Sequence, residues 1–274
     1  MGKEEQQAME GLGRILEEVR SRRPLVHHIT NLVVTNVTAN ATLAIGALPV
    51  MAHAYEEVEE MVQAAGALLL NIGTLTPSTV ESMVAAGRKA NELGIPVVLD
   101  PVGAGATRLR LNSARRLLEE LKLAVVRGNA AEIGILAGRG GEIKGVESLG
   151  ATGDLKETAV SLALETGAVV AITGKQDILS DGRRLALVDN GHPMLGTVTG
   201  TGCMATTMIA AFAAVEKDYL VAAAGALACF GLAGERAAEG AEGPGSFQVA
   251  LFDWLYRLRG EDLERGARVT MLDA

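Results

Sequence analysis

Four short stretches of this chain are apolar from end to end and stop on glycine or a polar residue: ALLLNIG (67–73), PVVLDPVG (96–103), LAVVRGN (123–129) and AVVAITG (168–174). A strand with one face in water alternates apolar and polar residues, whereas a run without alternation has both faces covered. The intervals between these runs are long enough for crossover connections and carry helical spacing. The pattern therefore predicts an α/β fold, a mostly parallel central sheet with helices on both faces. Composition agrees: 49% of the residues are apolar but only 3% aromatic, so Ala, Val, Leu and Ile must build the core. No linker, composition shift or repeat divides the 274 residues, which predicts a single domain over 1–274.

The remaining segments read as follows. The amino terminus is an amphipathic helix, PLVHHIT (24–30) a strand, and 31–46 a helix capped by Asn31. LPVMA is a strand, YEEVEEMVQAA a helix, and further helices run near Ser78–Leu93, Asn112–Lys122, from Asn129, and Asp154–Thr166. The glycine-rich connection GRGGEIKGVESLGATGD (138–154) reads as mobile and exposed. QDILSDGRRLALVDNGH holds two short strands around a two-residue turn at Asp181-Gly182. Three or four helices follow, the first opening at Gly202.

A net charge of -8 argues against nucleic acid and anionic membrane as partners and favours a small-molecule substrate. The amino-terminal segment has no apolar core of a secretion signal. The apolar run Tyr219–Gly234 is Ala/Gly-rich and short for a bilayer span, and reads as a buried helix. Cys203 and Cys229 make no disulfide framework, which predicts a reducing, cytoplasmic setting.

Ligands of open α/β sheets bind beyond the carboxyl ends of the strands. Those ends read HHITN, VMAHA, LNIGT, LDPVGAG, VRGNAAE, ITGKQD and VTGTGC. The Gly200-Thr201-Gly202-Cys203 stretch opens a helix, where backbone N–H groups and about half a positive charge favour an anion; a plain tight turn is the competing reading. Neither a P-loop nor G-x-G-x-x-G is present. Asp100 ends an apolar strand, and Asn129 and Glu132 form N-x-x-E, either acidic groups that attract Mg²⁺ or a capping box. A cation site facing an anion site points to nucleotide phosphates. The four histidines make no zinc spacing with either cysteine.

The segments HHITNLVVTNVTANATLAIGALPVMAHAYEEVEEM, LLLNIGTL, VVLDPVGAGATRLR, VVRGNAAEI, ITGKQD and VTGTGCMAT resemble the hydroxyethylthiazole kinase family, in register from about residue 10 to 260. The resemblance implies a ribokinase-like three-layer α/β/α fold. It also implies phosphorylation of 5-(2-hydroxyethyl)-4-methylthiazole by ATP and Mg²⁺, in thiamine biosynthesis and salvage. By the same resemblance Asn31, Met51 and Gly200 contact the thiazole, and Cys203 lies near the hydroxyethyl oxygen with Gly200 and Gly202 in the catalytic loop. Arg127 and Thr173 bind ATP, and Asp100 and Glu132 organise Mg²⁺. The resemblance further implies a homotrimer with substrate pockets between subunits. Ribokinase-like enzymes commonly carry Asp where this chain has Cys203. Hydroxymethylpyrimidine kinases can share that cysteine but open with a glycine-rich segment absent here, and remain the alternative. A helix start predicts a lowered thiol pKa for Cys203, with a proton-accepting or orienting role; a cysteine hydrolase is disfavoured because no base and orienter are readable.

Overall fold

Nine of the strands join into one sheet, in the order β11-β10-β9-β8-β5-β4-β3-β1-β2. The structure, a computed structural model, describes residues 3–139, 143–144, 147–148 and 154–274. In chain order the first half comprises α1 (Lys3–Arg22), β1 (Leu25–Ile29), α2 (Thr35–Ile45), β2 (Leu48–Met51), α3 (Val58–Gln63), β3 (Ala67–Asn71), α4 (Pro77–Leu93), β4 (Val97–Asp100), α5 (Arg108–Glu120), β5 (Val125–Asn129) and α6 (Ala130–Leu136). A two-stranded hairpin, β6 (Ile143–Lys144) and β7 (Glu147–Ser148), precedes α7 (Leu155–Thr166), β8 (Val169–Thr173), β9 (Asp177–Ser180) and β10 (Arg184–Val188). The chain then forms a 3₁₀ turn (Pro193–Thr197), α8 (Thr201–Ala213), α9 (Tyr219–Ala238), α10 (Pro244–Arg257), α11 (Gly260–Gly266) and β11 (Val269–Asp273). The mobility expected of 138–154 falls largely on residues outside those described.

The apolar runs behave as their lack of alternation requires. In β3, Ala67 and Leu69 pack on one side of the sheet and Leu68 and Leu70 on the other; β8 splits Val169 and Ala171 from Val170 and Ile172 in the same way. One core lies under α1, α2, α8, α9 and α10, the second under α3 to α7. This is the three-layer arrangement the alternation of elements predicts.

Six strands run parallel, and three antiparallel strands extend the sheet beyond β8. The chain leaves β1 outward to β2 and returns on the other side of it to β3, so the strand order reverses between β1 and β3. A crevice opens at such a reversal, at the carboxyl ends.

Four local expectations need correction. Asn31 does not cap α2: that helix starts at Thr35 with Val34 in the cap position, and Asn31 lies four residues upstream of Thr35, bonded elsewhere. The β9–β10 turn is shifted by one residue, because Asp181 and Arg184 still face each other (Asp181 N to Arg184 O, 3.3 Å) and Gly182-Arg183 makes the bend, with Gly182 at φ +87°. The helix expected to open at Gly202 begins at Thr201, after Gly200. The final segment is not helix to the end: Val269–Asp273 pairs antiparallel with β10 and closes that edge. Helix α9 spans 20 residues and is apolar enough to cross a membrane by composition, but its length is buried against β9, β10 and α8.

Candidate active site

Three parallel strands end in polar side chains that meet beneath the first turns of α8. Asn31 follows β1, Asn71 ends β3 and Asp100 ends β4, and all three are buried. Asn31 Nδ2 donates to Asn71 Oδ1 at 2.8 Å. Asn71 Nδ2 donates in turn to Asp100 Oδ2 at 3.0 Å and to Cys203 Sγ at 3.1 Å. Thr206, one turn beyond Gly202 in α8, donates to the same Asp100 oxygen at 2.9 Å. Oδ1 of Asp100 is buried and has no partner among the described residues.

Helix α8 starts without a capping side chain, since Gly200 sits in the cap position. Its φ of +89° is a left-handed value, and a Cβ there would lie 2.9 Å from Val34. At Gly202 the constraint is proximity instead: a Cβ would lie 2.8 Å from Nη1 of Arg127. The guanidinium of Arg127 donates to Thr173 Oγ1 and stands 3.9 Å from Asp100 Oδ2. Arg127, Thr173, Thr201 and Gly202 line a cleft of about 640 Å³, which is also lined by apolar side chains including Leu195, Leu227 and Phe230. The uncapped N–H groups of α8 thus stand between this cleft and the Asn31–Cys203 pair.

Charge in the site is governed by burial. Burial pushes the Asp100 carboxyl up to about 6; Glu132 adds to this, while Arg127 and the bond from Thr206 oppose it. Burial likewise lifts Asp177, in the cleft, to about 6, against the Gly174 N–H and Arg127. The lowered pKa expected of Cys203 is overturned: burial, reinforced by Asp100, pushes its thiol up to about 12 despite Arg127 and the two asparagine amides. Desolvation and a neighbouring carboxylate both disfavour the thiolate. Cys203 is a neutral thiol whose hydrogen-bond partners among the described residues are Asn71 and Asn31, with no histidine base. A cysteine nucleophile has no support in this geometry.

Glu132 realises the capping box: its Oε2 accepts the N–H of Asn129 at 2.9 Å while the Asn129 side chain accepts from Ala131 and Glu132. Its Oε1 accepts the N–H of Gly103 at 2.7 Å, tying the loop after Asp100 to α6. Among the described residues no group of three or more His, Cys, Asp or Glu is placed around one point. The structure therefore brings together Asn31, Asp100, Cys203, Gly200, Gly202, Arg127, Thr173 and, through the loop, Glu132. Met51 stands apart: it is half-buried on the edge strand β2, opposite His28 of β1.

Sequence reasoning missed Asn71, Thr206 and Arg110. Asn71 carried the same signal as Asp100, a polar residue ending an all-apolar strand. Arg110 reaches back from α5 to the carbonyls of Ile72 (3.0 Å), Val102 (2.7 Å) and Gly73, holding the loops after β3 and β4 together. No spacing in the sequence announces that bond.

The chain is similar to known proteins over nearly its whole length. The family model described as "Hydroxyethylthiazole kinase family" matches residues 16–261. A hydroxyethylthiazole kinase of Chloroflexus aurantiacus is 62% identical over 261 residues, covering 95% of this chain and 97% of the relative. One from Methanocella arvoryzae is 57% identical, covering 94% and 97%. The solved hydroxyethylthiazole kinase of Pyrococcus horikoshii OT3 superposes with a TM-score of 0.88 at 48% identity, over 95% of this chain and 98% of that one. Pyridoxal kinase from Staphylococcus aureus, at 15% identity and TM-score 0.59 over 92% and 99%, shares the fold alone. On the family match and these full-length relatives, the chain belongs to the hydroxyethylthiazole kinase family.

Proposed function

We propose that this protein transfers the γ-phosphate of ATP to the hydroxyl of 5-(2-hydroxyethyl)-4-methylthiazole, yielding the thiazole phosphate and ADP, within thiamine biosynthesis and salvage. The observation that carries the reading is the uncapped start of α8, set between a nucleotide-sized cleft and a pair of buried polar groups, Asn31 and Cys203. Arg127 and Thr173 hold the phosphates of ATP on the cleft side, with the base against the apolar wall. The N–H groups at Gly200 to Cys203 stabilise charge on the migrating group. Asn31, Met51 and Gly200 contact the thiazole.

Phosphoryl transfer passes through a loose transition state, so alignment and charge stabilisation dominate and a strong base is not required. A neutral Cys203 thiol orients the substrate hydroxyl toward the γ-phosphate and does not attack it. Asp100 fits a Mg²⁺, since its buried Oδ1 lacks a partner among the described residues. Glu132, whose oxygens already accept backbone N–H groups, contributes charge and loop position. When bound, the ion neutralises charge on the β- and γ-phosphates.

A homotrimer with the substrate pocket completed across the subunit boundary fits the edge position of Met51. Leu32, Val33 and Tyr55, in the loops after the paired strands β1 and β2, are exposed apolar residues suited to such a boundary. Two buried free thiols, Cys203 and Cys229, accord with a cytoplasmic setting. The test is an ATP-coupled assay with the thiazole alcohol and, in parallel, a hydroxymethylpyrimidine. Turnover of the thiazole is expected; turnover of the pyrimidine alone overturns the assignment.

A further inference from the structure

Asn71 closes β3 beside the reversal of strand order, and only 2% of its surface is exposed. Its amide orientation follows from the backbone. The N–H of Gly73 donates to Oδ1 at 2.9 Å, and a backbone donor requires an oxygen there, so Nδ2 faces the opposite way. The same logic orients Asn31: its Oδ1 accepts the N–H of Val33 at 3.1 Å, and its Nδ2 donates to Asn71 Oδ1. The two protons of Asn71 Nδ2 then meet two acceptors, the carboxylate of Asp100 and the sulfur of Cys203. Every hydrogen-bonding position of this amide is filled.

The other four residues of β3 are apolar and buried, and burying a polar group is unfavourable unless it is hydrogen-bonded. Asn71 bonds to groups from three different parts of the fold: Asn31 in the loop after β1, the end of β4 and the first turn of α8. Together with Thr206 it occupies one oxygen of Asp100, which leaves the other as the free one. The same amide that fixes the carboxylate also receives the side chain read as touching the alcohol.

We propose that Asn71 is a positioning residue for phosphoryl transfer: it selects which oxygen of Asp100 stays free and holds Cys203 in line with Asn31, so that the alcohol end and the phosphate end of the site share one alignment. This rests on reading the site as that of an alcohol kinase.

The experiment uses Asn71→Asp, which keeps the acceptor toward Gly73 and Asn31 but removes both donated bonds and sets a second carboxylate against Asp100, and Asn71→Ser, a smaller perturbation. Asn71→Ser is also combined with Asn31→Ala. Steady-state kinetics give kcat and KM, calorimetry with β,γ-methylene-ATP measures nucleotide binding without turnover, and thermal melting reports folding. The expected result is a fall in kcat of about 100-fold with nucleotide affinity held within about threefold. The double variant should lose no more than about threefold beyond the worse single one, because either break removes the same alignment. The proposal is overturned if kcat stays near wild type in both variants, if the Asn31 and Asn71 effects multiply, or if nucleotide affinity falls in step with kcat. Collapse of folding in both variants makes Asn71 a structural residue and overturns it too. Failure of the wild type on the thiazole alcohol, with turnover of another alcohol, removes the substrate assignment and leaves the Asn71 comparison to be made on that other alcohol.

Discussion

Gly202 and Cys203 are neighbours with opposite kinds of importance. A side chain at 202 would strike the Arg127 guanidinium, which is already engaged by Thr173 and paired with Asp100, and would stand where a phosphate must approach the backbone. Replacing the Cys203 thiol with a hydroxyl keeps a small polar group on Asn71 and changes no charge, because burial keeps that thiol protonated. Gly202→Val is therefore expected to lower kcat/KM by about 100-fold or more, and Cys203→Ser by about tenfold or less. Steady-state kinetics check the ranking, and its reversal would remove the α8 backbone from the centre of the chemistry.

Among the elements, α6 carries a burden out of proportion to its seven residues. Its capping box and the Glu132 bond to Gly103 link the helix start to the loop that follows Asp100. Glu132→Gln must turn an amide N–H₂ toward one of two backbone donors, so one of those bonds is lost. The expected cost is about 1 to 3 kcal/mol, read by urea denaturation, together with a raised Mg²⁺ requirement for turnover. An unchanged denaturation midpoint would show that the loop is held by Arg110 alone. The capping box itself was legible as N-x-x-E, but its second use was not, since Gly103 and Glu132 are brought together by the pairing of β4 with β5.

At the scale of the whole molecule, the buried acids set a pH dependence. An Asp whose pKa is ordinarily 3.8 and is held at about 6 in the folded state binds its proton more tightly when folded. Its favourable contribution is complete below the ordinary value and is lost as pH rises through about 6. Above that, ionised Asp100 costs the fold up to about 3 kcal/mol, a stability sacrificed for the charge that the proposed Mg²⁺ site requires. Asp100→Asn should thus be more stable than wild type near pH 8, lose that advantage near pH 4, and be severely impaired in turnover. Chemical denaturation of both proteins at the two pH values is the check, and a pH-independent difference would mean that Asp100 is not held protonated by burial.

The layers were readable from the sequence because apolar runs without alternation admit one environment, a strand covered on both faces. Asp100 was readable because a polar residue at the end of such a strand has few structural reasons to be there; Cys203 and the glycine loop were readable as a glycine-rich helix start, although the strand expected to lead into VTGTGC is a 3₁₀ turn at Pro193–Thr197 instead. What needed the tertiary structure was every property that depends on distance between elements. The expected helix-start lowering of the Cys203 pKa was reversed by desolvation beside Asp100, which lies 103 positions away in the chain. Asn31 read locally as a helix cap, yet its amide is claimed by Asn71 across the strand reversal. The strand β11 was hidden because an edge strand that pairs on one side only needs no apolar run, and its partner β10 lies about 80 residues upstream. Local pattern determines which residues become strand and helix, since those interactions are short in sequence; the charge state and partners of a buried group are decided by whatever the fold carries to it.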